Sequence, residues 1–172
     1  MTAAARPTKP HVRRGTPRWG ALLAAIMAVA VIGTSSAPHA ATTQRVVVDR
    51  HTGLALYGID PVGYFTNGKP TTGSGDLEYR YAGAIWRFEN EGNRAAFIKD
   101  PATYMPRFGG YDPLGVARGV AIPGYPALWS LVEDRLYLFY SPDARQAFLA
   151  DPQAAIEAAD ARWAQVMKDL PE

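Results

Sequence analysis

The segment "GIDPVG" (58–63) returns as "GYDPLG" (110–115), and this echo limits the fold more than any other feature of the chain. Shifted by 52 residues, Gly58, Asp60, Pro61 and Gly63 meet Gly110, Asp112, Pro113 and Gly115. Shifted by 51, "WRFENEGNRAAFIKDP" (86–101) lies on "YLFYSPDARQAFLADP" (137–152). Phe88 then falls on Phe139, Arg94 on Arg145, Phe97 on Phe148, and Asp100-Pro101 on Asp151-Pro152. One residue deleted in a loop reconciles the two shifts. A tandem duplication predicts two copies of one folding unit, about 58–101 and 110–152.

Each copy reads the same way. An Asp-Pro loop opens it, because proline fixes φ and the aspartate side chain can cap its own turn. Two short alternating runs follow, "LEYRY" (77–81) and "AIWRF" (84–88) in the first copy, "LWSLV" (128–132) and "RLYLFY" (135–140) in the second. Aromatic and aliphatic residues alternating around two turn residues predict a β-hairpin. A helix comes next, over 90–100 with Asn90 as N-cap and over 141–151 with Ser141 as N-cap and Pro142 behind it. Phe97 and Phe148 are expected on the buried faces. The Asp-Pro that follows stops each helix, since the residue before proline avoids the α region. A last helix is expected over 154–170, where Ile156, Ala159, Trp163, Val166 and Leu170 recur at helical spacing.

Units of about 50 residues bury too little alone. The sequence therefore predicts an α+β fold: a tandem pseudo-repeat of two β-hairpin–helix units forming a small antiparallel sheet with helices packed on it, plus the C-terminal helix. "VVVD" (46–49) is expected to add an edge strand.

The N-terminus reads as a separate matter. Residues 1–19 carry five cations and no acid, and an apolar run of 14 (20–33) and a small-residue exit follow. That order describes a signal peptide over 1–41, the rival being an uncleaved anchor. The run is short for a span of about 30 Å of hydrocarbon. Residues 42–172 then form a single exported domain, periplasmic or secreted. Without the leader, 13 Lys and Arg face 16 acids, a net charge of −3. No basic patch remains for nucleic acid, and membrane contact is confined to the leader. The chain has no cysteine, which excludes disulfides, a thiolate nucleophile and Cys-bound metal.

At "YGIDPVGYF", "GAIWRFENEGNRAAFIKDPATYMPRFGGYDPLGVARG" and "LYLFYSPDARQAF" the chain resembles the bacterial YHS domain-containing exported proteins, over about residues 54–163. The resemblance implies a small α+β module associated with metals or redox surroundings. After Gly109-Gly110-Tyr111 many relatives carry cysteine; this chain carries Asp112.

Asp60 and Asp112 stand at equivalent points of the two units. If those points meet, two carboxylates border one cleft and can hold a hard divalent cation such as Ca²⁺. Otherwise each aspartate organises its own loop. His51, the sole histidine after residue 41, is the third candidate ligand, and with Met105 it offers a soft pair for Cu(I). Tyr64 and Tyr111 are expected to line the cleft. Arg107 is a candidate for binding a ligand anion, or for pairing with Asp112. The functional expectation is a binding module for a metal ion or small molecule. The alternatives are an enzyme using carboxylate or redox chemistry, and a structural partner of an envelope complex.

Overall fold

The computed structural model describes residues 45–170. The expected signal segment, 1–41, lies outside the described residues. Among those residues, no helix is long and apolar enough to cross a membrane.

Both copies begin with a left-handed turn. Leu56, Tyr57 and Gly58 have φ of 50°, 55° and 83°; Phe108, Gly109 and Gly110 have 54°, 61° and 90°. The Asp-Pro loop and a short helix follow, α1 (Gly63–Thr66) in the first copy and α4 (Pro113–Ala117) in the second. The chain then doubles back on its own loop. Asp60 N–H donates to the Thr71 carbonyl and Asp112 N–H to that of Ile122, both at 2.8 Å. Gly73 donates to Gly58 at 2.9 Å and Gly124 to Gly110 at 3.0 Å.

The hairpins are equally alike. Strand β1 (Ser74–Tyr81) pairs antiparallel with β2 (Ala84–Phe88), and β3 (Tyr125–Val132) with β4 (Arg135–Phe139). Their registers break at the same place, after Ser74 and after Tyr125. Helix α2 (Glu91–Lys99) is capped by Asn90, whose side chain accepts from Asn93 N–H; α5 (Pro142–Ala150) is capped likewise by Ser141. Asp100 and Asp151 do more than end these helices. Each side chain also caps the next one, α3 (Pro101–Tyr104) or α6 (Pro152–Asp169). The copies part company here, because α3 has 4 residues and α6 has 18.

Phe97 and Phe148 are fully buried, as expected. Phe97 packs 5.2 Å from Phe88, and Phe148 packs 5.1 Å from Phe139. Removal of each ring from water contributes roughly 1.5–3 kcal/mol. The α+β class and both hairpin–helix units stand. The strands form two two-stranded sheets, however, where one shared sheet was expected. The reason is the burial of β4 on both faces. Leu136 and Leu138 enter the core of the first unit, while Tyr137 and Phe139 enter that of the second. Units that meet through side chains in this way have no need of strand pairing.

"VVVD" is likewise no regular edge strand. Val48 makes one isolated bridge to Ala55. Val47 donates to Gly109 O at 2.8 Å and accepts from Leu56 N–H at 3.2 Å. Successive side chains of an extended segment point to opposite sides. Val46 accordingly joins the first core and Val47 the second.

The second hairpin turn can be improved. Glu133 and Asp134 both hold left-handed φ, 50° and 55°, which favours Asn-Gly. The double substitution Glu133→Asn, Asp134→Gly is expected to raise unfolding stability by about 1 kcal/mol in urea denaturation.

Candidate functional site

Asp60 and Asp112 are both fully buried. Asp60 Oδ1 accepts from Val62 N–H at 2.8 Å; Oδ2 accepts from Glu89 N–H at 2.8 Å and Asn93 Nδ2 at 2.7 Å. Asp112 Oδ1 accepts from Gly115 N–H at 2.9 Å and Oδ2 from Tyr140 N–H at 3.2 Å. Every donor belongs to the aspartate's own unit. Each carboxylate thus pins an Asp-Pro loop to the strand–helix junction of the same copy. Neither lines the clefts that hold His51, Tyr64 and Arg107. The expected acidic cleft gives way to two internal ties. Among the described residues, no three His, Cys, Asp or Glu side chains come together as a metal site.

The other expected residues go to three different places. His51 and Tyr111 share a cleft of about 270 Å³ with Tyr57 and the Val46–Val48 segment. His51 is exposed there, and its backbone N–H donates to Asp49 Oδ1 at 2.7 Å. That bond, followed by one from Thr52 N–H, holds the Asp49 carboxyl below its usual range. Burial pushes the Tyr111 phenol upward. Met105 lies in another cleft, so the soft pair with His51 is not assembled.

Tyr64 lines a groove of about 630 Å³ between α1 and β3, alongside Trp129 and Leu131. Its hydroxyl donates to Pro126 O at 2.9 Å, and its ring meets Trp129 edge-on at 5.2 Å. Burial raises the Tyr64 pKa well above the normal phenol value. A phenol whose folded pKa is raised supports folding fully below the unfolded value near 10, and that support is lost as pH climbs beyond it. Tyr64→Phe is expected to cost about 1 kcal/mol at pH 7, through the lost hydrogen bond. The gap to the parent should close as urea unfolding is repeated above about pH 10.

Arg107 leads to the most chemically distinctive place. It pairs with Asp160 of α6, not with Asp112. Its guanidinium carbon lies 5.1 Å from the centroid of the Phe108 ring, a cation–π contact. The surrounding cleft measures about 340 Å³. Arg45 and Arg135 also line it, as do Met105, Trp163 and Met167. Asp160, Trp163 and Met167 fall at i, i+3 and i+7 of α6, one face of the helix. Trp163 stands edge-on to Phe108 at 5.7 Å. Tyr137 sits within electrostatic reach; burial raises its pKa, and Arg107 opposes that rise.

Two observations set this cleft apart. The Nε atoms of Arg107 and Arg135 are buried without a hydrogen-bond partner among the described residues. A buried unsatisfied donor costs about 1–3 kcal/mol, so such groups call for an explanation. The second observation comes from the duplication. Position 107 corresponds to Ala55 and position 135 to Ala84, both buried in the first copy. The framework therefore closes with alanine at these points, and folding alone does not require arginine there.

Sequence reading picked out Arg107 but missed Arg135, Arg45, Asp160, Trp163 and Met167 as its companions. The available signal was the mismatch of charge between copies, Ala55 against Arg107 and Ala84 against Arg135. Comparison with known proteins returned no matching family model, no matching curated protein and no matching solved structure.

Proposed function

We propose that this chain is an exported module that binds a small anion in the arginine-lined cleft beneath α6. The observation that carries the reading is the pair of orphaned guanidinium N–H groups on residues that the fold does not need. Buried polar groups are ordinarily paired, and an anion supplies the acceptors these two lack. Of the residues that line the cleft three are arginines and one, Asp160, is a carboxylate, with Asp100 also within electrostatic reach of Arg135. The excess of cationic lining disfavours a metal cation. Its volume falls at the small end of ligand pockets, roughly 300–1,000 Å³. His51, the one histidine among the described residues, lines a different cleft from the arginines. Export rests on the basic and apolar character of residues 1–41, and the resemblance to YHS domain-containing exported proteins agrees with it.

Native mass spectrometry of the chain recovered from the cell envelope tests this reading. The expected result is a small anionic adduct that the double variant Arg107→Ala, Arg135→Ala lacks while remaining folded. An adduct-free parent, whose melting temperature also stays fixed across phosphate, sulfate and carboxylate salts, would overturn it.

A further inference from the structure

Several anion chemistries would satisfy the cleft's arginines, and Asp160 narrows the choice. Arg107 meets Asp160 through Nη2 alone. In a guanidinium, Nε and Nη2 lie on one edge, and a carboxylate grips that edge with both oxygens. The internal pair thus uses half of an edge built for two bonds. The unused half is the orphaned Nε. That atom is closed to solvent in the present arrangement, so it gains a partner only if the guanidinium turns. Asp160 is what restrains it. The ion pair itself is half open to water, with side-chain exposures of 31% and 46%, and pairs of that kind are weak.

The rest of the cleft is apolar. Met105, Pro106 and Met167 line it, with Trp163 and Phe108 as aromatic walls. Thioether side chains are flexible and accommodate apolar groups of varied shape. A compact anion such as phosphate has no use for such walls. A molecule with one planar anionic head and an apolar body uses both parts.

Resting on the anion reading above, we infer that the ligand is a small monocarboxylate with an apolar tail. Its head group takes Arg107 from Asp160 and engages Arg135, and its tail lies against Trp163 and the two methionines. Asp160 is then an internal stand-in for the ligand carboxylate, holding Arg107 in reserve and setting the affinity by competition.

Isothermal titration of the full chain with acetate, hexanoate, octanoate and phenylacetate tests this, with octanamide and inorganic phosphate as controls. Affinity should rise at least tenfold from acetate to octanoate, and octanamide should not bind. Asp160→Asn should tighten octanoate binding about 3- to 10-fold, because the competitor is gone. Arg135→Ala, which copies the alanine of the first unit, should weaken it at least tenfold in a folded protein. Weaker octanoate binding in Asp160→Asn would overturn the competition and make Asp160 a positioning residue. Binding of phosphate without dependence on tail length would overturn the carboxylate assignment and leave the anion site standing. Binding of none of these anions, in parent and Asp160→Asn alike, would remove both.

Discussion

Replacement of Asp60 by alanine is expected to lower unfolding stability by about 3–5 kcal/mol. The variant strands three donors at once: Val62 N–H, Glu89 N–H and the Asn93 amide. Val62 and Asn93 are 1% and 7% exposed, so water cannot easily replace the carboxylate there, whereas Glu89 is an exposed residue. Each unsatisfied donor costs about 1–3 kcal/mol, and relaxation keeps the sum below simple addition. Asp60→Asn should recover little. Its carbonyl serves Val62, but its amide then faces two other donors. Asp112→Ala should cost less, about 2–3 kcal/mol, because it strands two donors, one of them at 3.2 Å. Urea unfolding of the three variants gives the ranking. A loss under about 1 kcal/mol for Asp60→Ala would show that the loop does not depend on its carboxylate.

Gly109→Ala is the second large effect. A β-carbon there would stand 1.9 Å from Arg45 O, and the residue holds φ at +61°. The strain of a left-handed alanine adds about 1–2 kcal/mol to an overpacking cost of about 1–3 kcal/mol. The backbone can escape only by giving up the bond from Val47 N–H to Gly109 O. A loss of about 3 kcal/mol is therefore expected, together with faster hydrogen exchange at the Val47 amide. Gly119→Ala provides the control. Gly119 holds φ at +80°, and a β-carbon there would meet nothing within 4 Å, so only the conformational cost of about 1–2 kcal/mol should appear. Similar losses for the two variants would mean that the close approach to Arg45 is readily relieved. The equivalent position in the first copy is Tyr57, half exposed in the same left-handed conformation. Glycine at 109 is therefore a demand of the neighbouring chain and not of the repeat.

The units were legible in the sequence because duplication prints the same local physics twice. Asn90 and Ser141, Asp100 and Asp151, Phe97 and Phe148 each confirm a partner 51 residues away, so caps, stops and core rings reinforce one another. What lay beyond local pattern was how the copies meet. "RLYLF" reads as an alternating strand, yet Leu136 and Tyr137 are both buried, because the second unit's strand is covered from both sides. Nothing in its own residues says so. The acidic pair misled for a related reason. Equivalent position in a repeat does not imply proximity, and each aspartate had enough donors nearby to serve its own unit. The arginine cleft draws on residues 45, 107, 135 and 160–167, which are far apart in sequence and meet only in the folded chain. Its trace in the sequence is a difference between the copies, whereas a repeat displays its likeness first.

Strand β4 also bears on the independence of a single repeat. A lone repeat, corresponding to residues 45–104, would lack Leu136 and Leu138 and leave a bare apolar wall. Such a peptide would hardly stay monomeric. A single-copy form would need a sister molecule to seal that wall, and two copies in one chain make the partnership permanent. The present halves should accordingly melt in one transition, with no half-folded species to isolate.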